Sequence, residues 1–175
     1  RVDDGLSATD LLVDSSLLSD KYRNVLAEPN LIINGAMEIS QENGTTAGTT
    51  NGYYPVDGWW LRLTATGAET FSVQQVDSVW GGKAVRVTTT AIGGVPTLQL
   101  RQQFEGIRIK GLRWGYSDAR YARLAFNFKA SVAGTYTMYI ASSVSVNSYQ
   151  TATFTWTQAE VAAGVPVRKS VRFSP

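Results

Sequence analysis

The sequence predicts an antiparallel all-β domain of the sandwich type from about residue 30 onward. Three observations support this fold class: short runs of alternating apolar and polar side chains, glycine-containing turns between the runs, and a composition typical of a folded protein. Hydrophobic residues make up 43% of the 175 residues and charged residues 17%, with 8 Tyr, 5 Trp and 6 Phe. Alternation with period two places one set of side chains on a buried face and the other set on a solvent face.

Residues 1–29 precede this domain and predict a short N-terminal linker or stalk, either helical or extended. Apolar residues recur every seven positions at Leu11, Leu18 and Val25. Two heptads do not distinguish a helix packed on its own domain from a helix in an oligomeric stalk. Pro29 ends any helix, because the residue before a proline is pushed out of the α region. The chain opens on Arg1 without an apolar signal segment, and we expect it to begin partway through a longer polypeptide.

The strands of the domain (residues 30–175) follow one another with turn signals between them. Several short strands of this kind indicate a sandwich or a barrel. In the clearest strand, Leu124, Phe126 and Phe128 are expected to be buried, and the alternating Arg123, Asn127 and Lys129 are expected to face outward. Residues 41–55 predict a long loop, residues 105–118 an irregular segment and residues 158–163 a weak helix. The predicted strands are residues 31–39 (interrupted at Asn34-Gly35), 59–65, 69–76, 83–90, 97–104, 121–131, 135–143, 151–156 and 165–173.

The composition also excludes several kinds of chemistry. The chain has no Cys and no His, so disulfides, thiolate zinc sites and every catalytic triad with an imidazole base are excluded. Its 16 Lys and Arg against 14 Asp and Glu give a formal net charge of +2. The cations are scattered along the sequence, which argues against a nucleic-acid binder. The apolar runs are shorter than the ~18 residues of a membrane span, so we expect no membrane insertion.

Three stretches resemble a known family. Residues 30–38 (NLIINGAME) are similar to the opening strand of jelly-roll carbohydrate-binding modules, with Met37 in place of the usual aromatic residue. Residues 57–60 (DGWW) resemble the "GW" that follows in that fold, and residues 98–105 with 124–131 resemble a later pair of strands. The order of the pieces is most similar to the jelly-roll domains of bacteriophage tail-fibre and related virion proteins. Residues 3–14 also resemble the Asp-Gly repeats of fibre shafts.

The resemblance implies a jelly-roll β-sandwich and a virion location. It further implies a non-catalytic structural or host-recognition module that binds a cell-surface polysaccharide or mediates assembly with other virion proteins. Tail fibres are commonly trimeric, so a homotrimer is the expected assembly. The alternative is a carbohydrate-binding module attached to a secreted bacterial enzyme that degrades glycans. Jelly rolls of this family usually continue beyond the region of residues 165–173. The fold is therefore either completed by residues outside this chain or left with an unpaired edge that another chain covers.

Loop aromatic residues are the candidate glycan-binding groups, because sugar rings stack on accessible aromatic faces. Trp114 and Tyr116 in the irregular segment and Tyr149 in a polar loop come first, followed by Trp80 at a turn. The alternative is that these rings cap the sandwich or lie in a subunit interface. The resemblance also implies a structural calcium with Glu38 as a ligand; no other cofactor is expected. The remaining carboxylates form no recognisable catalytic motif, so we expect no enzyme activity.

Overall fold

The computed structural model describes residues 30–64, 70–91, 97–141 and 149–175. The chain divides into two compact units, Arg1–Ile33 and Asn34–Pro175. The predicted linker or stalk, residues 1–29, lies outside the described residues. The second unit carries all the strands discussed below.

The predicted all-β class is confirmed. Eight strands are described, and eight of the nine predicted strands correspond to one of them within a few residues at each end. The strands are β1 (Trp59–Thr64), β2 (Thr70–Asp77), β3 (Lys83–Ala91), β4 (Thr97–Gln102), β5 (Ala122–Phe128), β6 (Gly134–Ala141), β7 (Tyr149–Trp156) and β8 (Val167–Phe173). Between β4 and β5 lie helix α1 (Gly106–Ile109) and a 3₁₀ turn (Lys110–Leu112); helix α2 (Gln158–Ala163) precedes β8.

The strands pair in two nested sets. In the first set β1 pairs with β4 and β2 with β3; in the second β5 pairs with β8 and β6 with β7. All four pairings are antiparallel. In the described part of the chain each ladder therefore has two strands, and the outer pair of each set encloses an inner hairpin in the sequence.

Each set has its own hydrophobic core. In the first set the buried side chains are Leu61 from β1 with Phe71 and Val73 from β2. Phe71 and Val73 lie two residues apart, so they share a face of the strand, as their alternation predicts. Because these side chains come from two different ladders, the first core joins the ladder β1–β4 to the ladder β2–β3.

The second core is built largely from aromatic rings. Phe154 and Phe173 are buried, and Phe126 and Phe128 of β5 pack against this cluster. The ring centroids of Phe128 and Phe154 are 4.9 Å apart in an edge-to-face arrangement, which is favourable for aromatic pairs. The predicted inward and outward alternation of β5 is confirmed, but its inward side chains are half-buried rather than buried. The fully covered positions belong instead to β7 and β8, where Trp156 has no exposed surface.

A polar cluster joins the two sets. The hydroxyl of Tyr139 on β6 donates to the side-chain oxygen of Gln99 on β4 at 2.6 Å. The Arg101 guanidinium lies 5.5 Å from the Trp60 ring centroid and 5.6 Å from that of Tyr139. Cation–π contacts of this kind hold the guanidinium between the rings. Trp60 is half-buried and, within the described residues, its indole N–H has no hydrogen-bond partner.

The strand predicted at residues 31–39 is wrong. This segment contains a turn in which Asn34 and Met37 have φ of 50° and 60°. The Asn34 side-chain amide donates to the carbonyls of Ile39 and Asp57 at 2.8 and 3.0 Å, and its oxygen accepts from the Ile39 N–H. Asn tolerates the left-handed region and bonds locally to the backbone. The Asn34 side chain therefore makes hydrogen bonds to backbone groups that a neighbouring strand would make in a sheet.

The helix predicted at residues 158–163 is confirmed as α2. Thr157 and Glu160 form a capping box: the Thr157 hydroxyl accepts from the Glu160 N–H, and the Glu160 carboxylate accepts from the Thr157 N–H. Gly164 ends the helix in the left-handed conformation, with φ of 66°. These signals hold a six-residue helix that is too short to be stable by propensity alone.

Candidate functional site: an aromatic and basic groove

The segment between β4 and β5 forms an open groove with a volume of about 700 Å³. Helix α1, the 3₁₀ turn and the loop that follows supply its walls. The groove is lined by eight residues: Gly106, Ile109, Lys110, Gly111, Arg113, Trp114, Tyr116 and Arg120. The structure thus brings together two of the predicted ligand-binding residues, Trp114 and Tyr116.

Successive tight turns shape the loop of this groove. Arg113 adopts a left-handed φ of 53°, and its N–H donates to the Lys110 carbonyl at 3.1 Å. The Tyr116 N–H then donates to the Arg113 carbonyl at 3.1 Å, with Gly115 at φ 94° between them. Glycine permits that conformation, which an L side chain resists. At the end of these turns Tyr116 is exposed to solvent.

Trp114 anchors the loop to the domain. Its side chain is half-buried and packs against the second hydrophobic core. The indole N–H donates to the Arg120 carbonyl at 2.7 Å, and the Arg120 N–H donates to the Leu112 carbonyl at 2.8 Å. A buried Trp usually satisfies its N–H in this way. Trp114 therefore has a packing role in addition to the edge that it presents to the groove.

Tyr116 is the accessible ring of the groove, with 68% of the residue's surface exposed. The Arg113 guanidinium lies over this ring at 5.4 Å from its centroid. Arg113 is itself fixed by an ion pair with Asp118, in which Nε lies 2.8 Å from Oδ1. The cation–π contact orients the ring while leaving much of it in solvent. An oriented, accessible ring is the feature that stacking on a sugar requires.

The charge of the groove is positive. Three of its eight lining residues are basic and none carries a carboxylate. Arg113 is neutralised by Asp118, whereas Lys110 and Arg120 have no ion-pair partner in the described part of the chain. The sequence prediction missed Lys110 and Arg120. Their signal was the interleaving of basic, glycine and aromatic residues in residues 108–120.

Comparison of the chain with protein-family models, curated proteins and solved structures gave no match.

Trp80, another of the predicted aromatic residues, does not line the groove. Trp80 lies in the turn between β2 and β3, where its backbone N–H donates to the Ser78 hydroxyl and 53% of the residue is exposed. Tyr149 begins β7, and its backbone pairs with Ala141. The side chain of Tyr149 lies outside the described residues.

Glu38, the predicted calcium ligand, lies in the turn segment that replaces the first predicted strand. Its Oε1 accepts from the Lys83 N–H at 3.0 Å. The Lys83 amino group forms an ion pair with Asp77 at 2.6 Å, and this hydrogen bond is the main cause that raises the pKa of Lys83. Within the described residues no group of three or more acidic side chains is placed to hold a metal. The hydrogen bond accounts for Glu38 without a cation, and calcium binding stays a prediction.

No helix among the described residues is long and apolar enough to cross a membrane.

Proposed function

We propose that this chain is a non-catalytic binding module that recognises a glycan through the groove between β4 and β5. The observation that carries the proposal is the exposed ring of Tyr116, oriented by Arg113 at the edge of a concave surface. Small-molecule sites combine such apolar faces with a few polar groups that fix the orientation of the ligand. Here Lys110 and Arg120 supply hydrogen-bond donors for hydroxyl or carboxylate oxygens.

We further propose that the domain is a jelly-roll sandwich. The nested antiparallel pairs, and the two cores that each receive side chains from two ladders, support this architecture. Jelly rolls are built from antiparallel strands in two packed layers. A jelly roll would extend the two-stranded ladders into larger sheets. Each described strand has one ladder partner. The other edges of β1 and β2 bond to backbone groups of residues 52, 53 and 48, as further strands of a larger sheet would.

The proposed setting is a phage tail fibre or similar virion appendage, in which the module recognises the host or holds subunits together. The support is the resemblance of residues 30–38, 57–60 and 98–105 to virion jelly rolls. The competing proposal is a carbohydrate-binding module of a secreted enzyme. The flanking sequence separates the two, since shaft repeats favour a fibre and an adjacent catalytic domain favours the enzyme.

The glycan proposal is tested by replacing Tyr116 and a matched ring outside the groove. Tyr116→Ala should weaken glycan binding by about two- to twelvefold, because an aromatic stacking contact contributes about 0.5–1.5 kcal/mol. Tyr116→Phe should retain most of the affinity, and Trp80→Ala should leave it unchanged. Trp114→Ala is less informative, since Trp114 also packs against the core. Binding is measured by glycan array and then by affinity electrophoresis with the glycans that are retained.

Light scattering on the same variants separates ligand binding from assembly. If Tyr116 contacts glycan, Tyr116→Ala changes affinity while the molar mass of the particle stays constant. If the ring lies in a subunit interface, the molar mass falls. A normal affinity in Tyr116→Ala, with Trp80→Ala impaired instead, would remove the groove from the proposal.

A further inference from the structure

The outward face of the ladder β5–β8 is an arginine surface separate from the groove. Arg123 of β5 and Arg168 and Arg172 of β8 are exposed and alternate with inward side chains. Directly opposite residues of an antiparallel ladder point to the same side, and Arg123 pairs with Arg172 while Asn127 pairs with Arg168. We call this set of three arginines the arginine face.

The part of the chain from residue 106 onward, which contains the arginine face, has few negative charges. Residues 106–175 hold nine Lys and Arg but only two Asp and Glu. Both acids are already used: Asp118 pairs with Arg113 and Glu160 with Lys169. None of the three arginines of the face forms an ion pair within the described residues. The positive charge of this face is therefore not compensated by a carboxylate of the described chain.

The pairing of Arg123 with Arg172 opposes folding, because like charges directly opposite each other destabilise a ladder. The structure reduces this cost with weak contacts. Arg172 lies 3.5 Å from the centroid of the Tyr121 ring, and an Arg123 nitrogen lies 3.4 Å from the Ser170 hydroxyl. Neither contact removes charge, so a bound anion would relieve the repulsion between the two guanidinium groups.

We propose that the arginine face binds an acidic polysaccharide that carries carboxylate groups. Guanidinium groups bind carboxylates through paired hydrogen bonds. Arg168 and Arg172 lie four residues apart on one strand, which separates them by roughly 13 Å. A single small anion does not bridge that distance, but a polymer with repeated carboxylates does. The small side chains of Ala125 and Ser170 between the arginines leave room for a chain along the sheet.

Two features favour a polysaccharide over a nucleic acid. Single-stranded nucleic acids bind by stacking successive bases on a series of aromatic rings, whereas the residues of the ladder that face outward with the arginines are Ala125, Asn127 and Ser170. Ser170, between Arg168 and Arg172, and Asn127, opposite Arg168, provide hydrogen-bonding groups for sugar hydroxyls. The inference goes beyond the proposed function, since it concerns a second surface whose residues do not line the groove.

The experiment compares two arginine pairs on polymers that differ only in charge. Polygalacturonate carries carboxylates, and its methyl ester has the same backbone without them. The test variant is Arg168→Gln with Arg172→Gln. The control variant is Arg62→Gln with Arg86→Gln, which removes the same charge from exposed strand positions in the first set. Affinities are measured by affinity electrophoresis and calorimetry at low and high salt, with oligo-deoxythymidine as a third ligand.

The proposal predicts that the whole chain binds polygalacturonate more tightly than the ester, and less tightly at high salt. The test variant should lose at least about tenfold in affinity for polygalacturonate, and the control less than about twofold. Equal losses in both variants, equal binding of the ester, or tighter binding of oligo-deoxythymidine would each overturn it. Loss of ester binding in Tyr116→Ala alone concerns the groove, so the two proposals fail separately.

Discussion

Replacing Gln75 with Leu tests how the turn segment at residues 34–40 is held. Gln75 lies on β2, only 5% exposed, and its side-chain amide donates to the carbonyls of Met37 and Glu38 at 2.6 and 3.1 Å. Leucine has a similar volume but no donor. The substitution therefore removes both hydrogen bonds while it leaves most of the packing in place.

The expected loss follows from these contacts. A typical hydrogen bond contributes about 1 kcal/mol to stability, so two bonds contribute about 2 kcal/mol. An unpaired buried carbonyl costs about 1–3 kcal/mol more, but Met37 is half-buried and Glu38 exposed, so water reaches part of this segment. The greater apolar character of leucine offsets about 1 kcal/mol. We expect Gln75→Leu to lower the free energy of unfolding by about 2 kcal/mol.

Urea denaturation measures this change, and Gln74→Leu is the matched control. Gln74 is the neighbouring residue on the opposite face of β2 and is only half-buried, so its replacement should change stability by less than about 0.5 kcal/mol. Amide hydrogen exchange supplies a local readout. The N–H groups of Asp57 and Lys83, which donate to Ile39 and Glu38, should exchange faster in Gln75→Leu. Unchanged stability and unchanged exchange in this variant would refute the role given to Gln75.

Three further predictions concern the second core, the ion pair of α2 and assembly. Phe126→Ala should cost roughly 3 kcal/mol in a urea titration, at the lower end for a large truncation because the ring is half-buried; a loss below about 1 kcal/mol would contradict its place in the core. The pKa of Glu160 is lowered mainly by the hydrogen bond from Lys169, and next by the hydrogen bond from the Thr157 N–H. Glu160 therefore stabilises the fold above its unfolded pKa and loses this effect as the pH falls through its folded pKa. The stability difference between the wild type and Glu160→Gln should accordingly shrink on acidification, and a constant difference would contradict the assignment. Leu18→Asp should weaken self-association in light scattering while the circular dichroism of the β domain is retained; a monodisperse monomer of the wild type at high concentration would argue against an oligomer.

The sequence predicted the local structure of most of the second unit. The alternation of Phe126 and Phe128 with polar neighbours identified β5 and its inward face. This succeeds because side chains of a strand point to opposite faces in turn, so burial leaves a period of two in the sequence. The Thr157 cap and the C-terminal glycine likewise leave a local signal for the helix.

The failures have a physical cause in side-chain hydrogen bonding. Residues 31–39 have the apolar character of a strand, but Asn34 and the distant Gln75 bond to the backbone and hold a turn. The irregular segment was recognised from its glycines, and its rings were correctly chosen as accessible in the case of Tyr116. The packing role of Trp114 was not readable, since it depends on contacts with strands elsewhere in the chain.

The sequence by itself determined the all-β class, the absence of thiol and imidazole chemistry, and the positions of the eight described strands. It showed the cations as scattered, with no block of like charge. Only the tertiary structure placed Arg123 beside Arg172, because it paired β5 with β8 rather than with the next strand in the chain. Strand formation is encoded in neighbouring residues, whereas the choice of partner depends on how distant apolar faces pack together. The arginine face follows from that choice, and the sequence alone contained its residues but not their proximity.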